Sequence, residues 1–456
     1  MSKCPHCGAE IQFSPKSKKV HCEYCGSDFN PKELKEETKK AKNQKTLDGR
    51  AFSCTQCGAT LLTFDETAVT FCSYCGSQNM IEEKLMEQTA PDFIIPFSKT
   101  KEQCIANYKK KISSFLFCPS YMKSDIVISK FRGIYMPYGI YYFEHHGDCT
   151  NKGQKYNHRS GDYVYYDDYT IHADVDATYD GISYDLLSKF YDDYSESIPF
   201  NYKEAEDFNP NYLPGFYADS KDVDIDTYLN DAKMNAINDS SRFFKKNSIY
   251  SKYSCAHPTV PFKLKDKKVG LFPVYFVSII DKDKEHVHYA VINGQTGRVA
   301  ADMPIDFIKY IAFSVILAIP IFFLLNSFPV FLPVHINIFT IIMSIIAFII
   351  YAFELDKTRK KDTHFNDKGF SKKIENNNKK NKYTIKGSYF LKFLISILLS
   401  ISVIFMAPVE DYYYYGSATI GLISILWSFK DLISAYNLSV SRPIPQLEKR
   451  GGDENA

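Results

Sequence analysis

Four long apolar runs lie in the last third of the chain, whereas charged and tyrosine-rich sequence fills the first two thirds. A helix needs about 20 mostly apolar residues to cross the hydrocarbon core of a bilayer. Three runs come close to that length, and the fourth does so if its helix extends past Lys430 or back into 412–415. The pattern predicts four transmembrane helices, over 310–328, 336–353, 389–407 and 416–429, arranged as two hairpins that span 308–355 and 389–436.

The charge of the loops predicts the orientation of these helices. The loop 356–388 carries eleven Lys and Arg residues, whereas 329–335 and 409–415 carry none. Basic loops are retained on the cytoplasmic side of a membrane. We therefore expect a multi-pass protein of the cell membrane, with the N-terminus, the basic loop and the tail 437–456 in the cytoplasm. The sequence after Met1 has no apolar stretch typical of a signal peptide, which agrees with this orientation.

The segment 91–304 has the texture of a mixed α+β domain. Residues 132–143 and 270–280 are rich in aromatic and β-branched side chains, and 286–292 alternates like a returning strand. Helical spacing predicts three helices, over 81–88, 105–115 and 225–238. We therefore expect an α+β cytoplasmic domain just before the membrane helices.

An internal repeat of Cys-x-x-Cys pairs precedes this domain. Cys4-Pro-His-Cys7 and Cys22-Glu-Tyr-Cys25 recur as Cys54-Thr-Gln-Cys57 and Cys72-Ser-Tyr-Cys75, with fourteen residues between the inner cysteines of each copy. This spacing predicts two small β zinc ribbons, over 1–30 and 51–80, joined by a charged linker over 31–50. Because the linker is rich in Lys and Glu, the two ribbons should behave as separate units.

Four thiolates at this spacing are the preferred ligands of a structural zinc ion. The predicted ligands are Cys4, Cys7, Cys22, Cys25, Cys54, Cys57, Cys72 and Cys75. A glycine follows the second cysteine of each pair, where the chain must turn back toward the metal. His6 and His21 neighbour these ligands, but each ribbon already has four sulfurs, so we interpret both as bystanders. The sequence thus predicts two structural Zn²⁺ ions and no open catalytic position.

The net charge and the cysteine content bear on the protein's partners and on the state of its thiols. The net charge of +2 averages unlike regions and so indicates little about partners. Eight of the twelve cysteines fall in the pairs, and in a reducing compartment such pairs favour metal thiolates over disulfides. We interpret Cys104, Cys118, Cys149 and Cys255 as free thiols, some of them buried.

Other candidate sites are weaker. The run 145–149 contains two histidines, an aspartate and a cysteine, and His286 and His288 share one face of a strand, so a further metal site is an alternative. Such histidines are more often surface or interface residues than ligands. No nucleophile elbow, metalloprotease helix or dinucleotide fingerprint is present. The sequence therefore predicts no catalytic residue, no cofactor-binding residue and no enzyme.

The order of these motifs resembles a family of bacterial membrane proteins with a zinc ribbon of the transcription-factor-IIB type, often labelled helicase-like or replication-factor-like. The resemblance rests on the cysteine quartets and on Ile94-Ile-Pro-Phe97, Gly133-Ile-Tyr-Met-Pro-Tyr138, Asn211-Tyr-Leu-Pro-Gly-Phe216, Phe272-Pro-Val-Tyr275 and Ala290-Val-Ile-Asn-Gly-Gln-Thr-Gly297. It implies zinc binding and a membrane anchor. The helicase label does not extend to this chain, because the Gly-Lys dipeptide of a phosphate-binding loop occurs nowhere in it.

Three classes of function are open at this point. The first is a non-enzymatic adaptor or sensor that recruits a cytosolic protein to the inner face of the bilayer, with the basic loop attracted to anionic lipids. The second is a transporter or channel subunit with regulatory ribbons. It is less favoured, because the only lysines in the helices, Lys392 and Lys430, lie near their ends, where they can reach the membrane surface. The third is a membrane-tethered nucleic-acid-binding protein that uses Lys16, Lys18 and Lys19.

Overall fold

The computed structural model describes residues 3–34, 46–64, 69, 71–82, 86–247, 252–254, 262–281, 285–326, 332–364, 367–369 and 387–445. The strands among these residues are β1 Gln12–Ser14, β2 Lys19–His21, β3 Asp28–Phe29, β4 Thr46–Cys54, β5 Thr60–Thr63, β6 Met80–Glu82, β7 Met86–Thr89, β8 Phe93–Ile94, β9 Arg132–Ser160, β10 Tyr163–Asp185, β11 Glu206–Asp207, β12 Tyr217–Asp219, β13 Lys252–Ser254, β14 Lys263–Ile280, β15 His286–Asn293, β16 Val299–Ala301 and β17 Arg442–Pro443. The α-helices are α1 Lys101–Ser113, α2 Asp125–Ser129, α3 Asp192–Ser197, α4 Leu229–Asn247, α5 Phe307–Asn326, α6 Pro333–Asp362, α7 Gly387–Met406 and α8 Asp411–Ser439.

Residues 91–304, called the mixed domain below, are built on the antiparallel strands β9, β14 and β15. β14 lies between the other two. Aromatic side chains fill the core here: the rings of Tyr138 on β9 and Phe272 on β14 stack with their centroids 4.5 Å apart. Burial of such large apolar rings is the main favourable term in this packing. The structure confirms the strands predicted over 132–143, 270–280 and 286–292.

β9 continues well past its predicted end and forms a long hairpin with β10. The pairing runs from Tyr138 opposite Asp185 to Ser160 opposite Tyr163. Gly161 makes the turn with a φ of +58°, a conformation that glycine adopts at little cost. The outer half of the hairpin is polar and exposed, so its sequence lacked the apolar alternation that predicts a half-buried strand.

α1 and α4 confirm the helices predicted over 105–115 and 225–238. Thr100 begins α1 with a capping box, because its hydroxyl accepts a bond from the Gln103 N–H and the Gln103 side chain accepts one from the Thr100 N–H. Two of the scattered cysteines, Cys104 on α1 and Cys118 just after it, are free and buried thiols. This agrees with their interpretation from the sequence.

The short helix predicted over 81–88 is wrong. Two strands, β6 and β7, occupy the described parts of this segment, and both pair with β4. Eight residues are too few to hold an isolated helix in water. The open edge of β4 supplies backbone hydrogen-bond partners, and the segment takes these instead.

The expectation that the two cysteine motifs behave as separate units is also wrong. The first motif packs on the mixed domain, where Phe13 contacts Tyr212 with ring centroids 5.1 Å apart and the Asn211 amide donates to the Pro31 carbonyl at 3.0 Å. The second motif joins the large sheet, because β5 pairs with β12. Most of the predicted linker, 35–45, lies outside the described residues. The docking contacts come from residues far along the chain, which the composition of a linker cannot reveal.

Helices α5 to α8 are each long and apolar enough to cross a membrane. They contain the four predicted apolar runs as far as these are described, except that α7 ends one residue before its run does, at Met406; α8 extends beyond its run in both directions. α6, α7 and α8 pack on one another, whereas no residue of the apolar stretch Phe307–Leu324 in α5 is buried. These four helices indicate a membrane protein.

Candidate metal centres

The first cysteine repeat brings four sulfur atoms together beside the β1–β2 hairpin. Cys4 Sγ lies 3.5 Å from Cys25 Sγ, and Cys7 Sγ lies 3.5 Å from Cys22 Sγ. All four sulfurs lie within 4.8 Å of one another. The cysteines that approach each other are 21 and 15 residues apart in the sequence. The hairpin brings them together, because it folds the second Cys-x-x-Cys pair back onto the first.

The second repeat forms the same arrangement beside the β4–β5 hairpin. Cys54 Sγ lies 3.5 Å from Cys75 Sγ, and Cys57 Sγ lies 3.6 Å from Cys72 Sγ. These four sulfurs also lie within 4.8 Å of one another. The two repeats therefore fold into equivalent four-sulfur groups.

The sulfur positions fit a four-coordinate metal ion. A tetrahedral ion with bonds of about 2.3 Å, the length typical of zinc thiolates, holds its sulfurs about 3.8 Å apart. A disulfide would require about 2.05 Å. The observed sulfur–sulfur distances of 3.5 and 3.6 Å lie close to the spacing around a tetrahedral ion and far from the length of a disulfide bond. Each group could thus hold one metal ion through four thiolates.

Glycine shapes the turn at each Cys-x-x-Cys pair. The Gly26 N–H donates to the Cys22 carbonyl at 2.9 Å, and the Gly76 N–H donates to the Cys72 carbonyl at 3.0 Å. A side chain in such a left-handed conformation costs about 1–2 kcal/mol. The four glycines that follow the second cysteines share φ values of +71° to +75°: Gly8, Gly26, Gly58 and Gly76.

The two groups differ in how far the fold encloses them. All four cysteines of the second group are buried, whereas Cys7 and Cys25 of the first group are exposed. The tyrosine at the same position of each repeat shows the contrast most clearly, since Tyr24 is 83% exposed and Tyr74 is 0% exposed. One group is therefore enclosed, and the other is displayed at the surface.

Tyr74 ties the second group to the mixed domain. Its hydroxyl donates to the carboxylate of Asp219, and its carbonyl accepts a bond from the Tyr289 hydroxyl at 3.0 Å. Burial raises the pKa of Asp219 to about 7 and raises the pKa of Tyr74 well above its usual range. The tyrosine therefore stays protonated and acts as the donor.

The two histidines beside the first group bond to polar neighbours. His6 Nδ1 lies 3.0 Å from Ser27 Oγ, and His21 Nδ1 lies 2.8 Å from Asp28 Oδ1. Among the described residues, neither belongs to a group with the geometry of a metal site. Their sequence positions suggested proximity to a metal, and the structure gives them other partners.

The histidines further along the chain form no metal site within the described part of the molecule. His145 is buried and stacks on Phe262, with centroids 4.2 Å apart. His288 is also buried, and its Nε2 lies 3.7 Å from an Asp281 oxygen. The side chains at 148–149 lie outside the described set. The alternative of a site at 145–149 thus gains no support from the described residues.

A buried ionic joint, which the sequence did not predict, fixes the membrane helices to the mixed domain. Arg442 lies just after α8 and is 2% exposed. Its guanidinium donates to Asp193 of α3 at 2.9 Å and to Asp367, after α6, at 3.5 Å. It also lies over the Tyr191 ring, 4.2 Å from the centroid. These four residues, called the Arg442 joint below, connect the ends of α6 and α8 to one helix of the mixed domain.

Further bonds surround the joint. The Asp192 carboxylate accepts bonds from the Tyr228 hydroxyl at 2.9 Å and from the Lys368 N–H at 3.2 Å. Burial raises the pKa of Asp192 to about 6. At the end of α8, the Asn437 amide donates to the Ile305 carbonyl at 2.9 Å. Contacts from the segment after α6 and from the end of α8 therefore hold the mixed domain and the adjoining Ile305 against the membrane helices.

A polar seam runs between α6, α7 and α8. Lys392 of α7 pairs with Asp431 of α8 at 2.7 Å, a partner that the sequence did not predict. Its partner lies 39 residues away, next to Lys430, where the sequence suggested only a helix end. The seam continues through two side-chain pairs at 2.6 Å each: Asn337 with Ser417 and Ser344 with Ser396.

Comparison with known proteins assigns no family. No family model matches the chain, and no solved structure matches it. The chain is similar to a protein of Bacillus subtilis (strain 168) described as "Uncharacterized protein YdjG", with 29% identity over 312 residues. The similarity covers 67% of this chain and 90% of that protein. The description assigns no activity to the relative, so the resemblance to zinc-ribbon membrane proteins stays a prediction.

Proposed function

We propose that this protein is a membrane-anchored, zinc-binding adaptor that recruits a cytosolic protein to the inner face of the cell membrane and has no enzymatic activity. The observation that carries the proposal is the opposite exposure of Tyr24 and Tyr74, which occupy the same position of the two repeats. Exposed tyrosines on rigid elements are typical anchors of protein interfaces. Tyr74 serves the fold, and Tyr24 is free to contact a partner.

The metal in this proposal is zinc. Four thiolates form its preferred closed shell, which leaves no coordination position for a substrate. In the second group the ion would stabilise the mixed domain, because Cys57 and Cys72 are fully buried in one hydrophobic core with residues of β9, β14 and β15. In the first group the ion would hold the hairpin that displays Tyr24.

Charge and connectivity support a cytoplasmic location of both termini. The loop 356–388 carries eleven Lys and Arg residues, and such loops are retained in the cytoplasm. The described part of the loop contacts the mixed domain, because Asp367 accepts a bond from the Asp192 N–H and the Lys368 N–H donates to the Asp192 carboxylate, so loop and domain share one side of the membrane. Arg442 brings the chain after α8 to the same place.

The Arg442 joint suits an adaptor that holds its partner in a fixed position. A domain on a single flexible linker samples many orientations. Here the segments that follow two membrane helices contact one helix of the mixed domain. A protein bound at Tyr24 would therefore have a defined height and orientation relative to the bilayer.

Site-specific photocrosslinking in cells tests this proposal. A photoreactive phenylalanine analogue replaces Tyr24 in the full-length protein, and the matched control replaces Tyr163, which is 74% exposed on the β9–β10 hairpin. We expect a discrete protein adduct in the membrane fraction from position 24 and none from position 163. Absence of an adduct at 24, or equal adducts at both positions, would contradict the proposal. A nuclease-sensitive adduct would support the nucleic-acid-binding alternative instead.

A transporter or channel subunit is the second candidate, because the polar seam favours it. Ionisable residues inside membrane helices often mark ion pathways, and Lys392 with Asp431 is such a pair. The cavity beside Lys392 and Ser396 measures about 10 Å³, room for at most one water molecule, so this cavity offers no wide path for an ion. Hydrogen bonds between serines also join membrane helices that transport nothing.

Flux measurements separate the two candidates. Full-length protein is reconstituted in vesicles, and the efflux of potassium, sodium and protons is compared with that from vesicles containing a Lys392→Met variant. The adaptor proposal predicts background flux from both. Flux from the native protein that Lys392→Met abolishes would favour transport.

A further inference from the structure

An open cleft of about 800 Å³ lies between the first cysteine group and the mixed domain. One wall is the β1–β2 hairpin, with Phe13 and Lys16, and the other contains Lys101 at the start of α1, Arg132 at the start of β9, and Phe216. The volume falls in the range of about 300–1,000 Å³ that is typical of small-molecule sites. None of the eight cysteines lines the cleft, so it is distinct from the two candidate metal centres.

Two cations, Lys101 and Arg132, lie in the cleft, and neither forms an ion pair with a carboxylate among the described residues, although Glu102 offsets part of the charge of Lys101. Lys101 is partly buried, and no carboxylate among the described residues lies within ion-pair distance of its ammonium group. The Arg132 guanidinium donates to the Ser129 carbonyl at 3.0 Å and lies 4.6 Å from the centroid of the Phe71 ring, neither of which neutralises its charge. Burial and the positive charge of Arg132 both lower the pKa of Lys101. Like charges held together cost free energy that a bound anion would offset.

The rest of the lining suits an anion with an apolar ring. The other charged side chains of the cleft, Lys16, Glu23 and Glu102, are exposed, so the inner part stays cationic. The Phe216 ring stacks on Phe97, with centroids 4.1 Å apart, and forms a rigid apolar wall. The cleft thus combines positive charge with an aromatic surface.

The position of the cleft favours a ligand from solution over a headgroup of the protein's own bilayer. α1 has 13 residues, so its ends lie about 20 Å apart. The cleft is at its first residue, whereas beyond its last turn Phe117 contacts Tyr310 and Phe313 of α5. Exposed charges are screened over about 8 Å at physiological ionic strength. The cleft thus lies about 20 Å from the contact of Phe117 with α5, more than twice this screening length.

We propose that this cleft binds a soluble organic phosphate that carries a ring, the chemical class of the nucleotides. The phosphate lies against Lys101 and Arg132, because a lysine ammonium pairs with phosphate as a point charge. The ring packs between Phe13 on one wall and Phe216 on the other. The site goes beyond the adaptor role and does not depend on it, because Tyr24 lies outside the cleft. No hydrolysis is implied, since the site has no phosphate-binding loop.

Isothermal titration calorimetry on the full-length protein in detergent tests the site. The probes are ATP, ADP, adenosine and inorganic phosphate. We expect ATP or ADP to bind with a dissociation constant below about 1 mM and the two fragments to bind at least about tenfold more weakly, since each supplies only part of the contacts. Lys101→Glu should weaken nucleotide binding at least about tenfold, because it reverses the central charge. Lys110→Glu, the same change at an exposed position of the last turn of α1, should leave binding unchanged.

Each other outcome decides against the site. Equal effects of the two charge reversals, or no heat from any probe at millimolar concentration, would overturn it. Adenosine that binds as well as ADP would overturn the phosphate assignment. Lys101→Met removes the charge without adding an acid and should weaken binding by a smaller factor. Unchanged circular dichroism of both Lys101 variants verifies that they fold.

Discussion

Replacing Arg442 with methionine tests whether the Arg442 joint fixes the membrane helices to the mixed domain. Methionine keeps much of the side-chain length, but it leaves Asp367, whose side chain is 6% exposed, buried without the guanidinium and beside only the imidazole of His364 and the N–H of Asp192. Removal of one partner from a buried ion pair costs about 3–5 kcal/mol. Asp193 is half exposed and regains water, so we expect the lower end of this range, about 3 kcal/mol.

Hydrogen–deuterium exchange of the full-length protein in detergent measures the loss. Because each 1.4 kcal/mol is a factor of ten in an equilibrium constant, a loss of about 3 kcal/mol should speed amide exchange in α3 and β15 by about 100-fold. Lys360→Met is the matched control, since it breaks an exposed pair with Asp356 at 2.8 Å. Exposed pairs contribute at most about 1 kcal/mol, so exchange should change by less than about fivefold.

A double variant separates the effect of charge from that of packing. Asp367→Asn added to Arg442→Met removes the unpaired charge, so part of the protection in α3 should return. An Arg442→Met variant that exchanges no faster than Lys360→Met would refute a role for buried charge at the joint. A double variant that exchanges faster than the single variant would do the same.

Three further outcomes are expected. Cys57→Ser should prevent folding of the mixed domain, because this ligand is buried. Cys7→Ser, at an exposed ligand, should lose one metal ion and keep the circular dichroism spectrum. Equal losses of circular dichroism signal in the two variants would contradict the enclosed and displayed roles of the two groups. Because burial raises the pKa of Asp192 to about 6, the folded state favours the protonated carboxyl, and the free energy of unfolding in urea should rise as the pH falls from about 6 to about 4. Asp192→Asn should flatten that rise. A pH profile that the variant leaves unchanged would refute the raised pKa of Asp192. Gly421→Ala would place a methyl group 2.6 Å from a side-chain carbon of α6, which should lower the free energy of unfolding by about 1–3 kcal/mol. In the control, Gly416→Ala, the added methyl group meets nothing within 4 Å. Unfolding in dodecyl sulfate should distinguish the two variants, and equal unfolding midpoints would contradict the close packing of α6 and α8 at Gly421.

Local patterns in the sequence predicted the features that local residues determine. The cysteine spacing predicted both four-sulfur groups, because a hairpin between two Cys-x-x-Cys turns needs no distant contact. The apolar runs predicted the four helices, and the aromatic strands predicted the core of the mixed domain. In each case neighbouring residues alone carry the physical signal.

Features that depend on distant residues could not be predicted in this way. Tyr24 and Tyr74 occupy the same position of the repeat, and contacts with distant residues distinguish them: Tyr74 bonds to Asp219, 145 residues away, and to Tyr289, 215 residues away. Arg442 lies in a stretch that looks like an ordinary tail, and its partner Asp193 is 249 residues away. Lys392 likewise gains Asp431 only when α7 and α8 pack together. Such pairings follow from tertiary packing, for which a single sequence contains no periodic signal.

The zinc content of the full-length protein before and after treatment with a chelator tests the central claim most directly. Elemental analysis of the purified protein should give two zinc ions per chain. A chelator should then remove one ion, from the group with the exposed Cys7 and Cys25, while the enclosed group keeps its ion and the circular dichroism spectrum is unchanged. Fewer than two ions per chain, a metal other than zinc, or the loss of both ions together would contradict the account of one displayed and one enclosed zinc site.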